Sequence, residues 1–359
     1  MRNEERRGSN TVIRSCLSLV FMTSVALSIP MNQEFYSHPA YAADELKTNS
    51  PDSKTFANPQ LLHTLIGHTG AIKSLAFSPN AKLLVTGGAE NEGIIRFWNP
   101  QKGKILGTIN RAHQGSVDSI LITPNGETLI SCGSDYRINL WNLKSLEFSR
   151  SLVGHTSPIL SLAVSADSRI LVSGGLDGIR LWDLKRQMLL ATLVRFDNAI
   201  HTIALSPDGQ TLASGDNKGV VKLWDLRSNK LIRAFVAHSQ VVTGLAFTPN
   251  GETLVSASRD TSIKVWNVNS GERIHTLTGH NNWVNTIAIN SDGKTLASGG
   301  KDGIKLWDLT TGELKNTLDI QSKSVSTLMQ PIEDIAFSSD GQFLSSGGFD
   351  GKINIWRSR

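Results

Sequence analysis

The sequence predicts an all-β protein built from seven copies of one small antiparallel sheet, and three observations carry that prediction. Seven tryptophans recur at Trp98, Trp141, Trp182, Trp224, Trp266, Trp307 and Trp356, with spacings of 43, 41, 42, 42, 41 and 49 residues. A Gly-His or Ala-His pair stands upstream of most of them, at Gly67-His68, Ala112-His113, Gly154-His155, Ala237-His238 and Gly279-His280. Between these markers each unit holds four short apolar runs separated by turn residues. A fixed period of this length marks a repeat architecture, in which every unit buries its core against its neighbours.

The fifth unit shows the elements in order. VVTGLAFT is followed by the turn PNGE, then TLVSAS, the turn RDTS, IKVWNV, the turn NSGE and RIHTL. The runs are rich in Val, Ile, Leu and Phe and too short for helices. Asn125-Gly126, Asp208-Gly209, Asn250-Gly251, Asp292-Gly293 and Asp340-Gly341 recur at the first turn. Such pairs tolerate positive φ at both central residues, the requirement of a tight hairpin. Each unit therefore reads as a four-stranded antiparallel sheet.

Composition narrows the function classes. The 359 residues are 39% hydrophobic and 19% charged, enough to bury a large core. A net charge of +5, with no Lys/Arg run of five or more, argues against a basic nucleic-acid groove. The two cysteines, Cys16 and Cys132, support neither a disulfide framework nor a thiolate zinc site. Cys132, between Ser131 and Gly133 in an apolar run, reads as a buried small hydrophobe.

Residues 1–42 differ from the rest. Arg2, Arg6, Arg7 and Arg14 precede an apolar run from about Cys16 to Ile29, and Ala40-Tyr41-Ala42 follows as a small-x-small cleavage pattern. The run is shorter than the roughly 20 residues that span a bilayer. The expectation is a signal peptide cleaved near Ala42 and export to a periplasm, lumen or the extracellular space; the other reading is an anchor left uncleaved. Residues 43–58 are polar, contain Pro51 and show no period, as a flexible linker would.

The Gly-His and Trp-Asp markers at this period resemble the WD40-repeat family, over residues 59–359. With the export pattern, the chain is identified as an exported, bacterial-type member. The resemblance implies an all-β, seven-bladed β-propeller, each blade a four-stranded antiparallel sheet. Counting strands agrees. Only Arg357, Ser358 and Arg359 follow Trp356, so the last unit lacks its outermost strand, while residues 61–66 form a spare strand before the first unit. Placing 61–66 in the last blade closes the ring and removes open edges.

In the family, a His, a Ser or Thr, an Asp and the Trp form a structural hydrogen-bond network. Four units carry all four members: His113, Ser131, Asp135 and Trp141; His155, Ser173, Asp177 and Trp182; His238, Ser256, Asp260 and Trp266; His280, Ser298, Asp302 and Trp307. A fourfold set is structural rather than a catalytic triad, because a catalytic constellation occurs once and is exposed. Three units depart. The first has His68, Thr86 and Trp98, with Glu92 or Asn91 where Asp is expected. The fourth has Ser214 and Trp224, with Phe196 near the His position and Lys218 at the Asp position. The seventh has Ser346, Asp350 and Trp356 without a His, and extra residues around Gln321 to Gln330. These blades are expected to be less rigid, and the loop SKSVSTLMQP is an adaptable contact or a tolerated insertion.

Family propellers commonly bind partners on the face formed by the loops before the innermost strand and between the second and third strands. Mapped onto this chain, that face carries Trp283, Asn285, Arg259, Lys301 and Phe349 in blades five to seven. Trp283 is the one Trp outside the repeat position, and Trp beside Arg and Phe is a hot-spot composition. Lys73, Asp118, Leu160, His201, Thr243, Asn285 and Glu333 each follow the first apolar residue of an innermost strand and are expected at the channel mouth. Asp118, His201 and Glu333 could ligate a metal but fall on non-adjacent units, so a mixed polar rim is the better reading. No phosphate loop, nucleophile elbow or metalloprotease His pair is present. The reading is a non-enzymatic protein-interaction scaffold outside the cytoplasm. It needs no cofactor or metal, binds protein and not nucleic acid, has no stable membrane span when mature, and is monomeric. The alternative is a small-ligand-binding or hydrolytic propeller using the central channel.

Overall fold

The structure of the protein, a computed structural model, describes residues 36–37, 56–89, 92–195, 198–318 and 330–359. The leader apart from residues 36–37, and most of the linker, expected at 1–58, lie outside the described residues, as do Asn91, Phe196 and most of the loop SKSVSTLMQP.

Seven four-stranded antiparallel sheets form the blades, with the strands of blades 1 to 6 running consecutively from the innermost outwards. Blade 1 opens with Ile72–Phe77 and Leu84–Gly88, and blade 6 ends with Leu314–Leu318. Blade 7 joins the chain ends. Its inner strands are Ile332–Phe337, Phe343–Gly348 and Lys352–Arg357, and its outermost is Gln60–Ile66, which pairs Leu61 with Trp356 and Ile66 with Lys352. The innermost strands of neighbouring blades pack in cyclic order, and Ile332–Phe337 meets Ile72–Phe77 to close the ring. Phe56 adds to this closure, its ring edge-on to Phe337 at 5.1 Å, while the Ala57 N–H donates to Ser358 Oγ at 3.0 Å. The residue pair Tyr36–Ser37 lies antiparallel to Ile109 and Thr108, on the outer edge of blade 1.

The core lies between blades. Each repeat Trp is buried with its ring packed into the preceding blade: Trp141 joins Val85, Ile95 and Phe97 of blade 1, and Trp98 joins Phe343, Ile353 and Ile355 of blade 7. A Trp buries roughly 200 Å², about 5 kcal/mol as an upper bound. The repeat Trp of each unit thus explains both the periodicity and the adhesion of one blade to the next.

The first turns differ from the expected hairpins. In the Asn-Gly and Asp-Gly turns only the glycine has positive φ, as at Gly126 and Gly251, and Ala81 and Ser168 take that conformation in the first turns of blades 1 and 3. Thr123 Oγ1 lies 2.6 Å from Asn125 Oδ1, and the Gly126 N–H donates to the Thr123 carbonyl at 2.8 Å. The hydroxyl before the turn and the Asn side chain fold a wider loop, so the Asn need not adopt the left-handed conformation.

Every innermost strand carries a register shift between its first and third residues, for example Ile72/Ser74, Val117/Ser119 and Ile332/Asp334. The residue skipped is Lys73, Asp118, Leu160, His201, Thr243, Asn285 or Glu333, the seven positions expected at the channel mouth. A bulge leaves such a residue without a ladder partner and re-aims its side chain.

Candidate functional site

The recurring polar residues meet on one face, here the upper face. The His precedes the innermost strand, the hydroxyl residue lies in the second strand, the acid follows in the next turn and the Trp lies in the third strand. In blade 3, His155 Nδ1 is 2.6 Å from Asp177 Oδ1, His155 Nε2 is 2.7 Å from Ser173 Oγ, and the Trp182 indole N–H donates to Ser173 Oγ at 2.8 Å. A carboxylate can only accept, so the imidazole donates from Nδ1. Its Nε2 then accepts the Ser O–H, and the Ser oxygen accepts the indole. Blades 2, 5 and 6 repeat the chain through His113, Ser131, Asp135 and Trp141, through His238, Ser256, Asp260 and Trp266, and through His280, Ser298, Asp302 and Trp307.

Burial lowers the pKa of His155, His238 and His280 despite their carboxylates, so these rings stay neutral. Burial would raise Asp177, but the His155 bond, the Thr156 N–H and Arg180 outweigh it and bring it to about 2. Each Ser hydroxyl is buried and engaged by both His and Trp, a geometry with no open side for a substrate.

The departing blades resolve differently. In blade 1 Glu92 supplies the acid: its Oε2 meets His68 Nδ1 at 2.7 Å, and its Oε1 accepts from Arg96 at 2.9 Å. Thr86 completes the set with His68 and Trp98 at 2.8 and 2.9 Å, so this blade carries a full network. In blade 4 Ser214 accepts from Trp224, and Asp216 holds the turn through Asn198 and the N–H groups of Lys218 and Val220, each at 2.9 Å. In blade 7 the buried Ser346 hydroxyl has no partner among the described residues, and Asp350 pairs with Lys352 instead.

The candidate binding residues lie on this same face. Arg259, Lys301 and Phe349 occupy one position in successive blades, the residue after the second strand. The Arg259 guanidinium lies 4.8 Å from the Trp283 ring centroid, a cation–π contact between blades 5 and 6. Trp283 is 49% exposed and Phe349 57%. Asn285 differs from these: its Nδ2 donates to the Ile332 carbonyl of blade 7 at 2.9 Å, an inter-blade tie.

At the channel mouth the polar residues are mostly engaged. Glu333 pairs with Lys73 at 2.9 Å, Thr243 donates to the Val284 carbonyl, and Asp118 accepts from Ser116 at 2.7 Å. Burial and the nearby Arg259 charge lower the pKa of His201. Among the described residues no three His, Cys, Asp or Glu side chains are grouped to hold a metal. Nothing here favours the channel-ligand alternative.

Sequence reasoning passed over Asp334. It occupies a column of the innermost strands otherwise filled by Ser74, Ser119, Ser161, Thr202, Gly244 and Thr286. Ser74 and Ser161 accept the N–H of Ile120 and Ile203 in the next blade at 2.9 and 3.1 Å. Asp334 does the same across the closure, accepting from the Leu75 N–H at 2.8 Å, and also from Thr286 of blade 6 at 3.0 Å. An Asp inside the apolar run IEDIAF was the available signal.

Comparison with known proteins places the chain. Its matched segment is 36% identical over 121 residues to "Cell division cycle 20.1, cofactor of APC complex" of Arabidopsis thaliana, covering 33% of this chain and 26% of that protein. It is 35% identical over 116 residues to the B-type cell cycle switch protein ccs52B of Medicago truncatula, covering 32% and 24%. It is 30% identical over 192 residues to Striatin-3 of Homo sapiens, covering 48% and 22%. The matched segments thus span about a quarter of these relatives. They are eukaryotic proteins, two of them named for the cell cycle, and they correct the expectation of a bacterial-type, secreted member exported after cleavage near Ala42. That expectation rested on four arginines, one short apolar run and a small-x-small triplet, a pattern met by few residues and lying outside both the described residues and the matched repeats. The family model described as "WD domain, G-beta repeat" matches seven times, at residues 59–99, 103–142, 146–183, 188–225, 229–267, 271–308 and 322–357, and the chain belongs to the WD40 family.

Proposed function

We propose that this protein is a non-enzymatic platform for other proteins and engages them through the upper face of blades 5 to 7. One observation carries the reading: Trp283, half exposed, is held under the Arg259 guanidinium on the face that also exposes Phe349. A rigid aromatic anchor fixed by a cation loses little conformational entropy on binding, which suits it to carry a disproportionate share of the affinity. The buried networks support this role by holding the blades while the loops above them vary. One relative is named a cofactor of a complex, and a partner-binding role here is in keeping with that name.

The test is affinity capture with the tagged full chain, compared with Trp283→Ala and with Lys144→Glu in a turn at the opposite ends of the strands. The expected result is a defined protein held by the wild type and by Lys144→Glu but lost from Trp283→Ala, with the far-ultraviolet spectrum unchanged. Equal capture by all three would overturn the assignment of this face.

A further inference from the structure

Among the described residues, three consecutive blades carry an unbalanced positive arc on the upper face. Lys218 of blade 4 stands in the turn position where blades 2, 3, 5, 6 and 7 place Asp135, Asp177, Asp260, Asp302 and Asp350. Arg259 and Lys301 open the equivalent turns of blades 5 and 6. Among the described residues none of these three cations is in an ion pair. The carboxylates nearby, among the described residues, are already engaged. Asp260 holds His238, Asp302 holds His280 and Lys305, and Asp216 holds Asn198 and two backbone N–H groups. Of the mouth carboxylates, Glu333 pairs with Lys73, and Asp118 belongs to blade 2 on the far side of the ring.

A second observation points to a ligand. The Arg259 Nε–H is buried and has no hydrogen-bond partner among the described residues. With no bond at Nε the guanidinium is under-satisfied, and a carboxylate at its terminal nitrogens would supply charge-assisted hydrogen bonds. The contact with Trp283 holds that guanidinium in place, and a planar guanidinium can take a carboxylate through two donors. Trp283, against Arg259, and Phe349, in the equivalent turn of blade 7, provide exposed apolar surface on the same face.

We propose that this arc binds an acidic linear segment of a partner protein, with carboxylates against Lys218, Arg259 and Lys301 and neighbouring apolar side chains over Trp283 and Phe349. The inference rests on the platform reading and narrows it to one chemical class. A nucleic acid fits less well, because a phosphate backbone is bound by a longer basic track than three side chains supply.

The experiment is panning of the full chain against a random dodecapeptide phage library, followed by fluorescence anisotropy of the enriched peptides. The expected winners are rich in Asp and Glu with an apolar residue, and they bind about tenfold more weakly when salt rises from about 50 to about 300 mM. Arg259→Ala and Lys301→Glu each weaken them by about tenfold, Lys218→Glu by about threefold, and Lys144→Glu leaves them unchanged. Winners without an acidic excess, or acidic winners that bind Lys301→Glu as tightly as wild type, would overturn the proposal. So would displacement of every winner by mixed-sequence single-stranded RNA at lower concentration. Neutral apolar winners lost only in Trp283→Ala sink the acidic assignment and leave the platform standing. Winners indifferent to Trp283→Ala and to every charge change sink both.

Discussion

Glu92 meets His68 Nδ1 at 2.7 Å from a position 24 residues further along the chain, whereas the aspartates of blades 2, 3, 5 and 6 lie 22 residues after their histidines. The longer turn carries the acid further along, and the extra methylene of glutamate restores its reach. Thr69 and Arg96 then share the second carboxylate oxygen. Glu92→Ala should lower stability by about 2 kcal/mol, and Glu92→Asp by about 1, because a shorter side chain stops short of the imidazole. Urea titration followed by Trp fluorescence measures both. An alanine variant indistinguishable from wild type would mean that Glu92 does not hold blade 1.

The hydroxyl at the centre of each network gives a sharper contrast. Ser173→Ala strips His155 Nε2 and the Trp182 indole of their shared partner inside a buried site, which should cost about 2–4 kcal/mol. Ser346, equally buried, lacks a partner among the described residues, so Ser346→Ala should fall within about 0.5 kcal/mol of wild type or stabilise. The same urea titration decides. Equal losses for the two variants would show that size at this position matters rather than hydrogen bonding.

The blades were legible in the sequence because their period is written in large residues with few substitutes. A Trp that fills the seam to the previous blade while giving its indole N–H to a hydroxyl on the neighbouring strand of its own blade has no equivalent replacement, so it recurs visibly. The closing strand was legible by counting, since an unpaired edge strand at one end and a missing one at the other leave a single arrangement. Glu92 and Asp216 were harder, because each does an acid's work from a turn of altered length or from a neighbouring position. Asp334 went unnoticed for a related reason: small Ser, Thr and Gly at its column look interchangeable until their bonds to the next blade are seen. The Arg259–Trp283 contact joins residues of different blades, and sequence placed both on one face without fixing their contact.

A glycine at the seam yields the third prediction. Gly347, the penultimate residue of its strand, packs so closely on blade 1 that an added Cβ would lie 2.5 Å from Ile72 Cγ2 and 2.9 Å from Ile72 Cβ. The equivalent residues in blades 2 and 5 are Cys132 and Ala257, where the seam accommodates a side chain. Gly347→Ala should therefore cost about 2 kcal/mol by overpacking, while Ala257→Gly should cost about 1 through backbone entropy. A tolerated Gly347→Ala would show that the closure between blades 7 and 1 gives way more easily than its packing implies. Thermal unfolding of the two variants in parallel is the measurement.

Asp334 gives the closure a pH dependence opposite to that of the networks. Burial pushes its carboxyl up to about 6, although Leu75, Thr286, Ile335 and Ser74 all donate to it. Unfolding returns it to 3.8, so between those values the folded protein holds a proton that the unfolded chain releases. Its contribution to stability is complete below pH 3.8 and is lost as pH rises through about 6, at most about 3 kcal/mol in all. The histidines act in the other sense. Burial depresses His68, His155, His238 and His280 below 6.5, so their contribution is complete above 6.5 and lost as pH falls through the folded values. Asp334→Ser, which installs the residue used at Ser74 and Ser161, separates the two effects. The stability of wild type relative to this variant should be higher at pH 4.5 than at pH 7.5, by at most about 3 kcal/mol, since both proteins share the same networks. A difference that stays flat across that range would show that the closure holds Asp334 as an ordinary exposed aspartate.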